Sequence, residues 1–541
     1  HELAHMWFGD LVTMRWWEGI WLNEAFATFM ETSCSHAYRP DWKVWTSFGR
    51  ARAAAYATDA LASTRPIEYP VHSPDDAEDM FDVLTYEKGA SVVRMLEQHL
   101  GPETFRDGVR LYLRRHAHAN TDTADLWDAI EEVSGEPVRR MMDGWINQGG
   151  HPVITAEPGG DGVTIGQHHF TLDPAAADGR TWVVPVGLGV REGSEHRESR
   201  VLLETRTQTV EGAVDEVVSA TLGAAGFYRV MPAAATIDSV ASDGPGRMTV
   251  DERHALLDDA WALTVAGRLA ASDLLRLISG FAGESDLTVW HAIVGGLTGV
   301  RHITRETSVP HLARRVLAVS DGAARGLGHD TRPGDDDRTR ELRATLLRLR
   351  GIVAEAPDEI AAARDLLQHP DPTLASAALT VVARHGDAED FARFRRVFEE
   401  ATDPQTEQRH LKVLADFPDP ELVLTILTGT LDGTVRSQDG PYLLRRALIN
   451  PEAGATAWAF IADNWDELVA RFPSNSVARM LEGIAALDEP QLAASIDDFL
   501  ERHRLPHGTK QIAQHRERLA VNTVFRQRES ARLSRWLAAH D

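Results

Sequence analysis

Residues 1–33 read HELAHMWFGDLVTMRWWEGIWLNEAFATFMETS. His1 and His5 are four apart, so on a helix both imidazoles share one face and can bind a single metal ion. Glu2 lies beside them without sharing their direction. The next acidic residue on a strongly helical stretch is Glu24, a candidate third ligand that leaves a fourth position open. Two neutral histidines and one carboxylate form a standard catalytic zinc set. Glu24 can also be read as an ordinary helix-surface residue, yet Trp21, Leu22, Ala25 and Phe26 flank it, and a carboxylate among such neighbours needs a partner. Glu31 follows Glu24 by seven and shares its helix face. It is a candidate acceptor for the free N–H of a ligating histidine, or one end of a surface salt bridge.

Composition narrows the classes around this stretch. A chain of 541 residues, 43% hydrophobic, can build several cored domains. Its formal net charge of −25 argues against a phosphate-binding surface, so nucleic acid is not an expected partner, and it offers no basic membrane patch. Cys34 is the single cysteine, which excludes an internal disulfide and favours a reducing compartment, the cytoplasm. No apolar run reaches the roughly 20 residues that span a bilayer, so no membrane partner is expected.

Along the chain the pattern changes twice. Residues 1–150 have helical periodicity, with prolines clustered in TRPIEYPVHSP. After NQGGHP, the segments PVITAEP, GVTIGQHHFTL, TWVVPVGLGV and SRVLLETRTQTV read as short antiparallel strands, which makes residues 151–241 a small β-sandwich. SDGPGR then serves as a linker, and TVDERHALLDDAWAL opens a helix in which Thr249 and Glu252 have capping-box spacing. From 247 to 541 helices continue. Asp371-Pro372 and Asp419-Pro420 each place an acidic N-cap before proline, and the loosely repeated pairs suggest an α-solenoid. GHDTRPGDDDRTR reads as an exposed loop between helices. His116 with His118, and His168 with His169, lack a supporting acidic ligand and are assigned to structure.

HELAHMWFGDLVT followed by WLNEAFATFME resembles the zinc aminopeptidases of the aminopeptidase N family. The resemblance implies that residues 1–150 are the remainder of a thermolysin-like helical zinc domain, within a multidomain and mainly α chain. It implies one Zn²⁺ per chain on His1, His5 and Glu24, with Glu2 as general base toward metal-activated water. FDVLTYEKGASVVRMLE looks like the segment whose tyrosine stabilises the tetrahedral intermediate, which implies that role for Tyr86. By its residues alone Tyr86 reads as a packing tyrosine. NQGGHPVITAE, GFYRV and RHALLDDAWAL look more weakly like the family's later domains. The implied activity removes the N-terminal residue of peptides bearing a free N-terminus. Sparse lysine beside abundant arginine and alanine hints at a bacterial source.

Two family features are missing from these residues. A G-x-M-E-N segment, whose glutamate holds the substrate's free amine, normally precedes the zinc helix, and a β-rich N-terminal domain normally closes one side of the site. The expectation is therefore a C-terminal portion of such an enzyme, with weaker zinc affinity than a longer chain because a ligand stands at position 1. Two rivals stay open: another hydrolase on the same zinc site, an endopeptidase or an epoxide hydrolase, and a scaffold that only binds partners. Oligomeric state and side-chain preference are not readable.

Overall fold

The computed structural model describes residues 1–159, 162–212, 214–246, 248–505 and 507–540, with every side chain in those ranges except that of Ser474. Gly160, Asp161 and Ala213 of the expected β segment, and Arg247 and Asp541 at the ends of the expected C-terminal domain, lie outside the described residues. The chain is multidomain and mainly helical, and forms two units, His1–Ala266 and Gly267–Asp541.

In the first unit the helix Trp21–Tyr38 buries Trp21, Leu22, Ala25, Phe26 and Phe29, a stripe at helical spacing that seats it on the core. Glu24 falls at the edge of that stripe. The helix Glu2–His5 is only one turn long, and the chain then enters a short parallel pairing of Val12–Met14 with Ala119–Thr121. Periodicity reads this whole region as helical. The pairing arises from a long-range meeting, in which the His118 N–H donates to the Leu11 carbonyl at 2.7 Å.

Most strands lie between His151 and Val230. One sheet carries His151–Gly159, Gly162–Phe170, Thr207–Glu211 and Arg229–Val230, and the other Val184–Glu192, Glu195–Leu203 and Glu216–Ser219. Ile154, Val163 and Ile165 from the first, with Val184, Val186, Leu188 and Leu203 from the second, join one core with Trp145 and Ile146 of the preceding helix. Two details depart from the sequence reading. SRVLLETRTQTV is broken at residues 204–206 and its halves enter different sheets, because the buried Gln167 side chain donates to the Thr205 carbonyl and its backbone N–H to that of Arg206. Arg229–Val230 pairs with His151–Gly159 in parallel, unlike its antiparallel neighbours. His168 is exposed and His169 buried, as adjacent strand positions must be.

The helix Val250–Val265 begins with the expected capping box, the Thr249 hydroxyl accepting from the Glu252 N–H and the Glu252 carboxylate from the Thr249 N–H. In the second unit Asp371 and Asp419 cap their helices through the N–H groups of Thr373 and Glu421, each 2.9 Å away, with proline at the first helical position. The stretch 328–336 is a loop, and the helix Asp337–Arg348 starts within the charged run. Among the described residues no helix is long and apolar enough to cross a membrane.

One local irregularity bears on the site. Leu84–Lys88 is a π turn, in which the Lys88 N–H donates to the Val83 carbonyl five residues back at 3.0 Å. Lys88 is wholly buried, and its ammonium meets Asp59 Oδ2 at 2.9 Å and the Gly150 carbonyl at 3.2 Å. Asp59, equally buried, also accepts from Thr64, His151 and the Gly150 N–H. Burial alone would raise Asp59, but Lys88 and His151 hold it well below the usual carboxylate range. Gly150 has φ +89°, a conformation that glycine adopts without strain. Glu87 on the same turn is different: burial, then Asp82 and Glu31, push it up to about 7 from an ordinary 4.5.

Asp59→Ala leaves an uncompensated buried ammonium, and should destabilise the first unit by about 3–5 kcal/mol in urea denaturation; a loss below about 1 kcal/mol would mean that water reaches Lys88. Because the folded chain holds Glu87 above its unfolded value, the stability it contributes is full below about pH 4.5 and lost as pH climbs through about 7. Glu87→Gln should therefore stabilise the unit at pH 8 by roughly 1–2 kcal/mol, discounted for partial exposure, and by almost nothing at pH 4. Equal gains at both pH values would rule out a charge effect.

Candidate metal centre

The one-turn helix Glu2–His5 sets His1 and His5 on one face, their rings 4.9 Å apart, against the helix Trp21–Tyr38. One ring nitrogen from each histidine and one Glu24 oxygen all lie within 4.8 Å of one another, the only such group among the described residues. Glu24 Oε2 is 3.2 Å from His1 Nε2 and 3.3 Å from His5 Nε2. Its side chain is 12% exposed, so this carboxylate is largely removed from water and is met by the two imidazoles.

The second nitrogen of each ring is also held. His5 Nδ1 faces the Phe8 carbonyl at 3.0 Å, and His1 Nδ1 faces Glu31 Oε2 at 3.3 Å. With Nδ1–H donating in both, each Nε2 lone pair points toward the shared centre. The donor set therefore fits a zinc ion: two neutral imidazoles and one carboxylate, oriented from behind. Glu31 occupies the position expected of an orienting acceptor, on a side chain that is itself half exposed. The Phe8 carbonyl was not anticipated, because sequence patterns do not report where a backbone oxygen points.

Tyr86 comes to the same place from the π turn. Its ring stacks on His1 with centroids 6.0 Å apart. Burial raises its phenol above the ordinary value, and the charge of Glu24 and a hydrogen bond to it raise it further. The phenol is thus a proton donor beside Glu24 at any physiological pH. Glu2 is exposed on the motif helix, outside the three-residue cluster, and its charge is felt at Tyr86. Gly89 allows this meeting: a Cβ there would stand 2.6 Å from the Ala25 Cβ, next to Glu24. Any side chain at 89 would push the Tyr86 turn away from the ligand helix. The string YEKGA contained that signal, in a glycine where a helix begins.

The remaining histidines singled out by sequence join no acidic cluster of this kind. His169 pairs with Asp178 at 3.0 Å, and His116 packs on Tyr112. They belong to local structure.

Comparison with known proteins gives two family matches. Residues 1–145 match the Peptidase family M1 domain, and residues 222–521 the ERAP1-like C-terminal domain. Aminopeptidase M1-D of Oryza sativa subsp. japonica is 29% identical over 554 residues, covering 96% of this chain and 62% of that protein. Tricorn protease-interacting factor F2 of Thermoplasma acidophilum is 31% identical over 477 residues, covering 87% of this chain and 57% of that protein. Aminopeptidase 2 of Candida albicans is 28% identical over 564 residues, covering 100% and 60%. The chain spans about three fifths of the length of these relatives. With one match across the metal-site segment and another across more than half of its length, the chain belongs to the aminopeptidase N family of M1 peptidases.

Proposed function

We propose that this chain carries the metal centre of a zinc aminopeptidase, which hydrolyses the first peptide bond of peptides with a free N-terminus. The observation that supports it most is the convergence of two imidazoles and one carboxylate beside a half-buried phenol. His1, His5 and Glu24 would hold one Zn²⁺. When bound, the ion supplies Lewis acidity to the scissile carbonyl and acidifies water.

The chain's own groups do the rest. Glu2 is exposed on the motif helix, free to take the proton of the attacking water and return it to the leaving amine. Tyr86 keeps its proton, because burial and Glu24 raise its phenol, and so donates a hydrogen bond to the oxyanion as charge develops there. Phe8 and Glu31 fix the ring orientation of His5 and His1.

In this reading residues 1–150 are the thermolysin-like catalytic segment, 151–241 a β-sandwich, and 247–541 a helical-repeat part. The two sheets that share one core support the second assignment. An exposed Cys34, the single cysteine, suits a reducing compartment such as the cytoplasm.

A peptide and its N-acetylated twin, incubated with the chain and Zn²⁺ and followed by mass spectrometry, test the reading. Only the free peptide should lose its first residue, and chelation should abolish the loss. Cleavage of the blocked peptide would instead point to an endopeptidase. His5→Ala should abolish stoichiometric zinc binding in a metal titration, with the fold retained. Tyr86→Phe should lower kcat by about 10²–10³ while KM stays within about twofold. An unchanged kcat would remove Tyr86 from the mechanism.

A further inference from the structure

Tyr86 stands on a π turn, a backbone form that is rare because its hydrogen bonds are less favourable than those of an α-helix. Such a turn needs support from outside, and here each end has a separate ion pair. At the front, Asp82 Oδ1 accepts from the N–H groups of Leu84 at 2.9 Å and Thr85 at 3.3 Å. Arg65 grips that carboxylate at 2.5 Å and donates to the Thr85 hydroxyl at 2.9 Å. At the rear, Lys88 is bound to Asp59 and to the Gly150 carbonyl. Thr85 and Lys88 are both fully buried. Tyr86, between them, is the residue that turns outward to His1 and Glu24.

We propose that the Asp59–Lys88 and Arg65–Asp82 pairs are positioning elements for Tyr86, clamping the two ends of its π turn so that the phenol faces His1 and Glu24. None of the four touches the metal ligands in any contact seen here, so they act through the turn. Both anchors come from one short stretch, since Asp59 ends the helix Val44–Asp59 and Arg65 follows six residues later. The turn is therefore fastened at two points to one short stretch of chain, and a side chain fixed at both ends of its backbone loses little further freedom on reaching the transition state. That Tyr86 serves catalysis rests on the function proposed above; that these pairs set its direction does not.

The test uses the chain with 3-fluorotyrosine at its 7 tyrosines, observed by ¹⁹F NMR. The Tyr86 line is assigned by its loss in Tyr86→Phe. Two variants remove the clamping pairs without leaving a buried charge alone: Asp59→Asn combined with Lys88→Met at the rear, and Asp82→Asn combined with Arg65→Met at the front. Each should shift or broaden the Tyr86 line while those of Tyr38 and Tyr442 stay in place. If one variant fails to fold, the other carries the measurement. A Tyr86 line that does not move in a folded variant, or equal movement of every tyrosine, would overturn the proposal. Kinetics add a second readout: each variant should lower kcat about ten- to a hundredfold with KM nearly unchanged. It should cost nothing further in a Tyr86→Phe background. Additive losses in that background would show that the pairs act elsewhere. If Tyr86→Phe leaves kcat intact, the catalytic reading of Tyr86 fails, and the fluorine lines still decide the clamp.

Discussion

The Lys88–Asp59 ion pair is the contact on which the first unit is organised. A wholly buried ammonium is tolerated only when a carboxylate and further acceptors surround it, and a buried carboxylate needs its own donors. Asp59 collects those donors from Lys88, Thr64, His151 and the Gly150 amide, and Lys88 reaches back to the Gly150 carbonyl. Three segments meet there: the end of the helix Val44–Asp59, the turn that carries Tyr86, and the entry to the first long strand. Burial makes the network strict, because a displaced member would leave charge uncompensated in a low-dielectric interior. One carboxylate thus ties the end of the helix Val44–Asp59 to the turn that carries Tyr86 and to the start of the strand His151–Gly159.

From that anchor the candidate metal centre follows by short steps. The π turn offers Tyr86, Gly89 lets its helix lie against Ala25, and Ala25 stands beside Glu24. The region is rich in carboxylates. Tyr86 feels Glu24, Glu87 and Glu2, and Glu87 feels Asp82 and Glu31. Negative charge gathered in a partly buried place is unfavourable by itself and becomes favourable around a cation. Glu87 itself is raised first by burial, and after that by Asp82 and Glu31.

Much of the site could be read from local spacing. His1 and His5 four apart, and Glu31 seven after Glu24, are consequences of helical period, and the structure brings His1, His5 and Glu24 together with Glu31 against His1. Tyr86 is different: nothing in its neighbours distinguishes it from a packing tyrosine, and a role in the site is implied by the family resemblance alone. The Phe8 carbonyl gave no signal because a sequence pattern does not report where a backbone oxygen points, and Asp59, Arg65 and Lys88 gave none because the carboxylate or ammonium each meets lies far along the chain. The β segment divides in the same way. Its strands were visible from alternation, whereas the break in SRVLLETRTQTV depends on Gln167, which reaches it from another strand.

Sequence alone determined the His1/His5 spacing, the change to β texture after residue 150, the capping box at Thr249 and the Asp-Pro starts of two later helices, and the residue types gathered in the candidate site. Each is a matter of period, propensity or a side chain acting within a few residues of itself. Tertiary structure alone decided that the one-turn motif helix meets the Glu24 helix, that two sheets share a core with the helices, and that an otherwise unfavourable π turn is stable where Tyr86 stands. Those outcomes depend on burying charge beside its complement across long stretches of chain, and no local pattern encodes which distant carboxylate an ammonium will meet.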